Sequence, residues 1–425
     1  MAGLGAGPGR EGSVVQAEER LVPDSAAAPE RMLEGVRVLD FTQYLAGPSC
    51  TRLLMELGAE IIKVELLPDG DPTRRLNPQR NGMAVLHAQQ NRGKRSVALD
   101  VRQPEALDAL RRMARTVDLV VENGTPGLMA RRGLGYEDLS AANPRLIYVS
   151  VSGFGQTGSY AHRSCFDFIA QGMSGVMHMT GDSQGPPYFV GIGLGDTNAG
   201  VHAFAGVGFA LYQRDRTGRG THIDVSMVDA LFHMQENAVS AVSATNGAFV
   251  PMRQGLHYQP ASPAGTFRGP QGWIVVLCMP NQIDCLWAAM GRPDLGQDPR
   301  FAEFEARIAN REALTSVIED WMATFSTDEE LLQVLEVNRV PSGPVLSPAD
   351  CLDHPWFREQ GSVREIDDGE GGTFAVPGFP LRFGGVRPNR TVLAPQFGED
   401  TVEVLASFGL SAAEIAILRP GSTSH

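Results

Sequence analysis

The chain has 425 residues, 43% hydrophobic and 20% charged, with a net charge of −13 at pH 7. That length predicts two cores, one larger and one smaller. The negative charge excludes nucleic acid and an anionic membrane as general partners, because the bulk field repels both, so an anionic ligand has to be met by local basic residues.

Five cysteines include no C-x-x-C pair, so neither a disulfide framework nor a zinc site is expected, and the compartment is read as reducing and cytoplasmic. The nine histidines show no H-E-x-x-H spacing, and no metal is expected. No apolar run reaches the length of about eighteen residues that a membrane span needs. Residues 1–33, rich in Gly, Ala, Pro and Glu and without an apolar signal region, read as a flexible tail.

From Val36 the chain alternates. VRVLDF reads as a buried strand, LAGPSCTRLLMELG as a helix with Pro48 in its first turn and Gly58 closing it, and AEIIKVE as the next strand. Such a βαβ unit is right-handed and parallel. It begins like a dinucleotide fold, with Glu65 where a ribose-binding acid would stand. Only Gly47 occupies the turn, however, and one glycine does not cradle a pyrophosphate. The amides around Ala46 to Ser49 remain able to hold an anion.

Strands RSVALDV, DLVVEN and LIYVSVSGF follow, separated by the helix PEALDALRRMARTV and a short helix through GLMARRGLGYEDL. Strands alternating with helices predict a doubly wound α/β domain over residues 34–250, with its ligand off the carboxyl ends of the strands. Four loops end there: Gln43 to Ser49, Asn123 to Arg132, Ser152 to Gly158 and Gly191 to Asp196. In the last, a strand-like Tyr188 to Val190 enters a turn with Gly191, Gly193 and Gly195, and Asp196 stands where an N-cap stands before a helix of small and apolar residues. A plain cap is one reading. The other is an exposed carboxylate beside helix N–H donors, with glycines allowing a ligand close to the backbone.

HIDVSM reads as a further strand and Val228 to Val242 as one long helix. From about Val250 glycine and proline rise. WIVVLCM and REALTSVIEDWMATF suggest a small α+β domain over 251–350, with 351–425 as linker and a helical pair. Arg74-Arg75, Arg92 with Lys94-Arg95, and Arg131-Arg132 are basic clusters in an acidic chain, read either as solvated faces or as the seat of a ligand bearing several phosphates. There is no G-x-S-x-G elbow.

Taken together, GVRVLDFTQYLAGPSCTRLLMELGAEIIKVE, DPTR, NRGKRSVALD, DLVVEN, YVSVSGFGQTG, GDTNAG and TGRGTHIDVSMVDA resemble the family III CoA-transferases, the group of formyl-CoA and carnitine CoA-transferases and related acyl-CoA racemases. The resemblance runs from about Gly35 to Leu418. It implies a Rossmann-like large domain completed by the C-terminal segment, a small middle domain, and an interlocked homodimer. It also implies Asp196 as the nucleophile that forms anhydride and aspartyl-CoA thioester intermediates. Gln43, Tyr44, Ala46, Leu99, Asn123 and Arg131 would contact CoA, and Gln259 would lie on a substrate loop. Acyl-CoA and a carboxylic acid are then substrates, with no tightly bound cofactor and no metal. Racemases of the group carry a histidine where this chain has Phe166, which favours a transferase. Racemase and non-catalytic CoA-binding protein stay as the alternatives. Leu45 and the segment around Gln259 depart from formyl-CoA transferases, and Gly124 stands where relatives often have an aromatic or basic residue.

Overall fold

A computed structural model describes residues 31–384 and 393–418; the tail expected over 1–33 lies, up to residue 30, outside the described residues. Six strands, Arg37–Asp40 (β1), Glu60–Leu66 (β2), Arg95–Leu99 (β3), Leu119–Glu122 (β4), Ile147–Ser152 (β5) and His222–Ser226 (β6), pair in parallel in the order β3-β2-β1-β4-β5-β6. The fold is thus mixed α/β around a parallel central sheet.

Successive side chains of a strand point to opposite faces, so each strand feeds two cores. Val38, Ile61, Leu119, Val121 and Val149 pack under helices Ala46–Glu56 (α1) and Leu194–Thr217. Leu39, Ile62, Val64 and Val120 pack on the other side, under Pro104–Ala114 and the C-terminal pair Thr401–Ser407 and Ala412–Leu418. That pair also covers the sheet edge. The outward amides of β3 donate to the Asp400 carboxylate (Ser96 N, 2.8 Å) and the Thr401 hydroxyl (Ala98 N, 3.0 Å), satisfying donors that an open edge would leave to a foreign strand.

A three-stranded antiparallel sheet (Ala264–Arg268, Trp273–Leu277, Ser342–Pro344) has its own core around Phe267, Ile274, Trp287, Phe301 and Leu314. Two local expectations are corrected. Tyr188 to Val190 is not a strand, since the Tyr188 amide goes to the Thr180 carbonyl and the Val190 amide to the Gln171 side chain (2.8 Å) instead of a ladder partner. The helix expected over 228–242 is two, Met227–His233 and Ala238–Ala244. Among the described residues no helix is long and apolar enough to cross a membrane.

Strand order reverses between β1 and β4, the point at which an open parallel sheet leaves a crevice at its carboxyl ends. A buried charge network fixes the β1 side. Lys63 is paired with Asp71 at 2.8 Å and donates to the Thr42 carbonyl at 2.7 Å. Lys94 donates to Asp40, Thr51 and Asn91 at 2.7–2.9 Å. Burial alone would raise the Asp40 carboxyl, but the Lys94 and Lys63 ammoniums outweigh it and hold it at about 2. Glu65 is closed off by Arg74 (2.8 Å) and Ser96 (2.7 Å) and is not available to a ribose. Arg92 is likewise spent on Glu56 at 2.7 Å, and Arg95 on Glu60 and Glu403. Most of the basic residues read either as solvated faces or as a phosphate seat are therefore neither, being held in internal ion pairs.

Removing one member of such a network leaves a buried charge unpaired. Lys63→Met is expected to cost roughly 3–5 kcal/mol of stability, read as a lower urea midpoint, and Lys63→Met with Asp71→Leu is expected to regain most of it.

Candidate active site

The Thr42 to Tyr44 turn leaves β1 as one wall of the crevice. The Thr42 amide donates to Asp40 (2.8 Å), and the Tyr44 amide reaches towards Asp71 (3.4 Å). Tyr44 has a φ of 62°, a left-handed conformation that a bulky residue adopts only where its surroundings impose it. The turn is tied across the reversal point to β4 by a two-way clasp. The Gln43 amide donates to the Asn123 side-chain oxygen at 2.8 Å, and the Asn123 side-chain nitrogen donates to the Gln43 carbonyl at 2.8 Å. Helix α1 starts behind it without a side-chain cap, leaving its first amides as donors.

Asp196 is not the N-cap. Gly193 is, and Asp196 lies in the first turn of the Leu194–Thr217 helix. The capping task falls to Asp167, buried at the start of helix Asp167–Met173, whose carboxylate accepts from Gly195 N (2.6 Å) and Asp196 N (3.2 Å). Gly195 permits this approach, since a Cβ there would sit 3.1 Å from the Asp167 oxygen and 3.2 Å from Leu231. Fully buried Gln171 completes the support, donating to Asp167 (2.6 Å) and to the Ile192 carbonyl (3.2 Å). Those two amides are thereby spent on Asp167 and are not free for a ligand. The Asp196 carboxylate itself has no hydrogen-bond or ion-pair partner among the described residues. Burial, and then the neighbouring Asp167 charge, push its carboxyl up to about 7.

Asp196 borders a cleft of about 350 Å³ together with Gln43, Tyr44, Ala46 and Asn123. All four loops expected to converge contribute to its lining. Leu99 does not reach it, its side chain being wholly buried in the core under the sheet. Arg131 is exposed at the end of the short helix Leu128–Arg131, of which Leu128 borders the cleft. Gln259 lines a different cavity, of about 870 Å³, where Arg311 donates to its side chain at 2.8 Å.

Sequence reading missed His162 to Cys165, which line the cleft, and singled out Phe166 only as the place of a racemase histidine; the Phe166 ring also lines the cleft, edge-on to Tyr44 with centroids 6.1 Å apart. It also missed the supporting role of Asp167, for which the acid at the start of a helix was the available signal. Cys165 adjoins Asp196, but burial and the Asp196 and Asp167 charges push its thiol to about 11. It stays protonated and is a poor nucleophile.

The sequence profile of CoA-transferase family III matches residues 33–401. The chain is 36% identical to the acetyl-CoA:oxalate CoA-transferase of Acetobacter aceti, over 91% of this chain and 98% of that one. It is 37% identical to the succinyl-CoA:mesaconate CoA-transferase of Haloarcula hispanica, over 89% and 96%. A crystal structure of a CAIB/BAIF family protein from Brucella suis superposes with a TM-score of 0.80 at 33% identity, covering 89% of this chain and 99% of that one. The chain belongs to CoA-transferase family III, and it is an enzyme of that class.

Folded Asp196 keeps its proton up to about pH 7, whereas the ordinary value is 3.8. The stabilisation from that tighter proton is complete below about 4 and is lost as pH climbs through about 7. Asp196→Asn escapes the loss. It is expected to be more stable than wild type at pH 8 by roughly 1–3 kcal/mol and equal to it at pH 3.5, as thermal unfolding at the two pH values would show.

Proposed function

We propose that the protein moves CoA from an acyl-CoA donor, with succinyl-CoA as a candidate, to a carboxylic acid, with Asp196 as nucleophile. The observation that carries this reading is an unpartnered carboxylate on the wall of a strand-end cleft in a chain of CoA-transferase family III. The Asp196 carboxylate attacks the thioester carbonyl, giving an acyl-aspartyl anhydride and CoA thiolate. The thiolate attacks the aspartyl carbonyl, freeing the donor acid and leaving aspartyl-CoA. The acceptor carboxylate attacks aspartyl-CoA to form a second anhydride and release thiolate. That thiolate then takes the acceptor's acyl group and restores Asp196.

Each anhydride has to be kept from water. Tyr44 and Phe166 stand as an aromatic pair at the cleft, and Gln43, Ala46 and Asn123 are the CoA-contacting residues of this reading. The free first amides of α1 are candidates for the oxyanion. Leu99 enters this reading through its backbone at the end of β3, and Arg131 as a phosphate contact beyond the cleft. The acids named for the similar enzymes, oxalate and mesaconate, are dicarboxylic, and we assign the acceptor to that class. Phe166 supplies no proton carrier, which speaks against racemisation.

We also propose that two chains assemble. The Leu194–Thr217 helix buries Ala199, Ala203, Val207 and Ala210 on one side, while Phe209 is 77% and Tyr212 63% exposed on the other. Two large rings exposed three residues apart on one helix face are the feature on which a partner surface would close. Phe209→Asp with Tyr212→Asp is expected to shift the species measured by light scattering from the mass of two chains to that of one.

Intact-mass spectrometry after incubation with succinyl-CoA and other acyl-CoAs tests the chemistry. A hydroxylamine-sensitive adduct on the Asp196 peptide is expected in wild type and absent in Asp196→Asn, with turnover reduced at least about 10³-fold. Adduct formation should rise with pH to a plateau above about 7, because the attacking form is ionised Asp196. CoA binding without any adduct would instead favour the binding-protein or racemase readings.

A further inference from the structure

The cleft beside Asp196 has a second charged residue that the steps above do not use. Arg163 borders it, on the loop between β5 and helix Asp167–Met173. Its amide donates to the Tyr160 carbonyl at 2.9 Å, and its guanidinium lies 3.6 Å from the centroid of the Tyr160 ring. That ring is braced edge-on by Phe154, with centroids 5.6 Å apart. Stacking fixes the plane of the guanidinium while leaving its in-plane N–H donors free for a planar anion.

No carboxylate pairs with Arg163 among the described residues, and none of its side-chain donors has an acceptor there. Arg74, Arg92, Arg95, Arg214 and Arg364 are by contrast all held in ion pairs. Asp196, on the same cleft, is also unpaired. Opposite charges that share a cleft of about 350 Å³ without neutralising each other leave space for a ligand with two functional ends. In a chain of net charge −13, a doubly anionic acid also needs a local cation to approach an aspartate at all.

We propose that Arg163 receives the distal carboxylate of a dicarboxylic substrate whose other carboxyl group, free or as the CoA thioester, reacts at Asp196. The inference rests on Asp196 as nucleophile. Because donor and acceptor acids occupy the cleft in turn, one arginine serves both. A planar guanidinium holds a carboxylate through two parallel N–H···O bonds, which an ammonium does not reproduce.

The test compares succinyl-CoA with butyryl-CoA, a donor of the same chain length without the distal charge, on wild type, Arg163→Lys and Arg163→Met. Wild type is expected to favour succinyl-CoA in kcat/KM for release of the donor acid by roughly 10- to 100-fold, the scale of a charge-assisted hydrogen bond. Arg163→Met should bring that ratio close to one, and Arg163→Lys should fall between and carry the test alone if the Met variant does not fold. An equal loss for both donors would mean that Arg163 holds a CoA phosphate, and would overturn the proposal. So would an unchanged ratio in the variants, or a wild type that prefers butyryl-CoA. Wild type that releases the acid of neither donor and forms no Asp196 adduct would overturn the transferase reading beneath it.

Discussion

The cleft depends on charges buried at the end of β1, beside the middle of β2 and the start of β3. Lys63 and Lys94 bring two ammonium groups into the interior, and Asp40, Asp71, Thr42, Thr51 and Asn91 surround them with acceptors. An isolated ion in that position would be expelled or neutralised; a fully bonded set is instead rigid, because every alternative arrangement leaves a charge unsatisfied. What that rigidity holds in place is the Thr42 to Tyr44 turn, with Tyr44 in a left-handed conformation that nothing local favours. The turn in turn clasps Asn123 and joins the two halves of the sheet across the reversal of strand order.

On the other wall a second buried acid does a different task. Asp167 accepts the amides at the start of the Leu194–Thr217 helix, which an N-capping aspartate would otherwise have bonded with its own side chain. Asp196 is thereby left without a partner among the described residues. Its neighbour's negative charge also makes its ionised form less favourable. A carboxylate poised near neutrality and lacking a counter-ion is costly to folding, and an unpaired charge close to a ligand is what nucleophilic attack on a thioester needs. The same logic keeps Cys165 protonated at its side.

The strands of the parallel sheet were legible because each is a short run of β-branched and aliphatic residues between turn signals, with helices at 3.6-residue spacing in between. The four converging loops followed from the rule that such sheets bind at their carboxyl ends. Tyr188 to Val190 looked like another strand from composition alone, but no sheet edge offers it a ladder, and its amides go to Thr180 and Gln171. The basic clusters stayed open between a solvated face and a phosphate seat for a related reason. A sequence displays charge without showing whether it is already paired, and Arg92 and Lys94 turn out to be bonded inside the protein.

By itself, then, the sequence determined the alternation of elements, the parallel sheet, the family, and the place of Asp196 near the start of a helix at the cleft. These depend on local periodicity and on motifs contiguous in the chain. Only the tertiary structure decided that Asp167 and not Asp196 caps the helix, that the Leu99 side chain packs into the core under the sheet, that Gln259 lines another cavity, and that Arg163 shares the cleft with Asp196 while remaining unpaired among the described residues. Each of these is a contact between segments far apart in the chain. Partner choice for a charge depends on distance and burial in space, which no spacing along the sequence encodes.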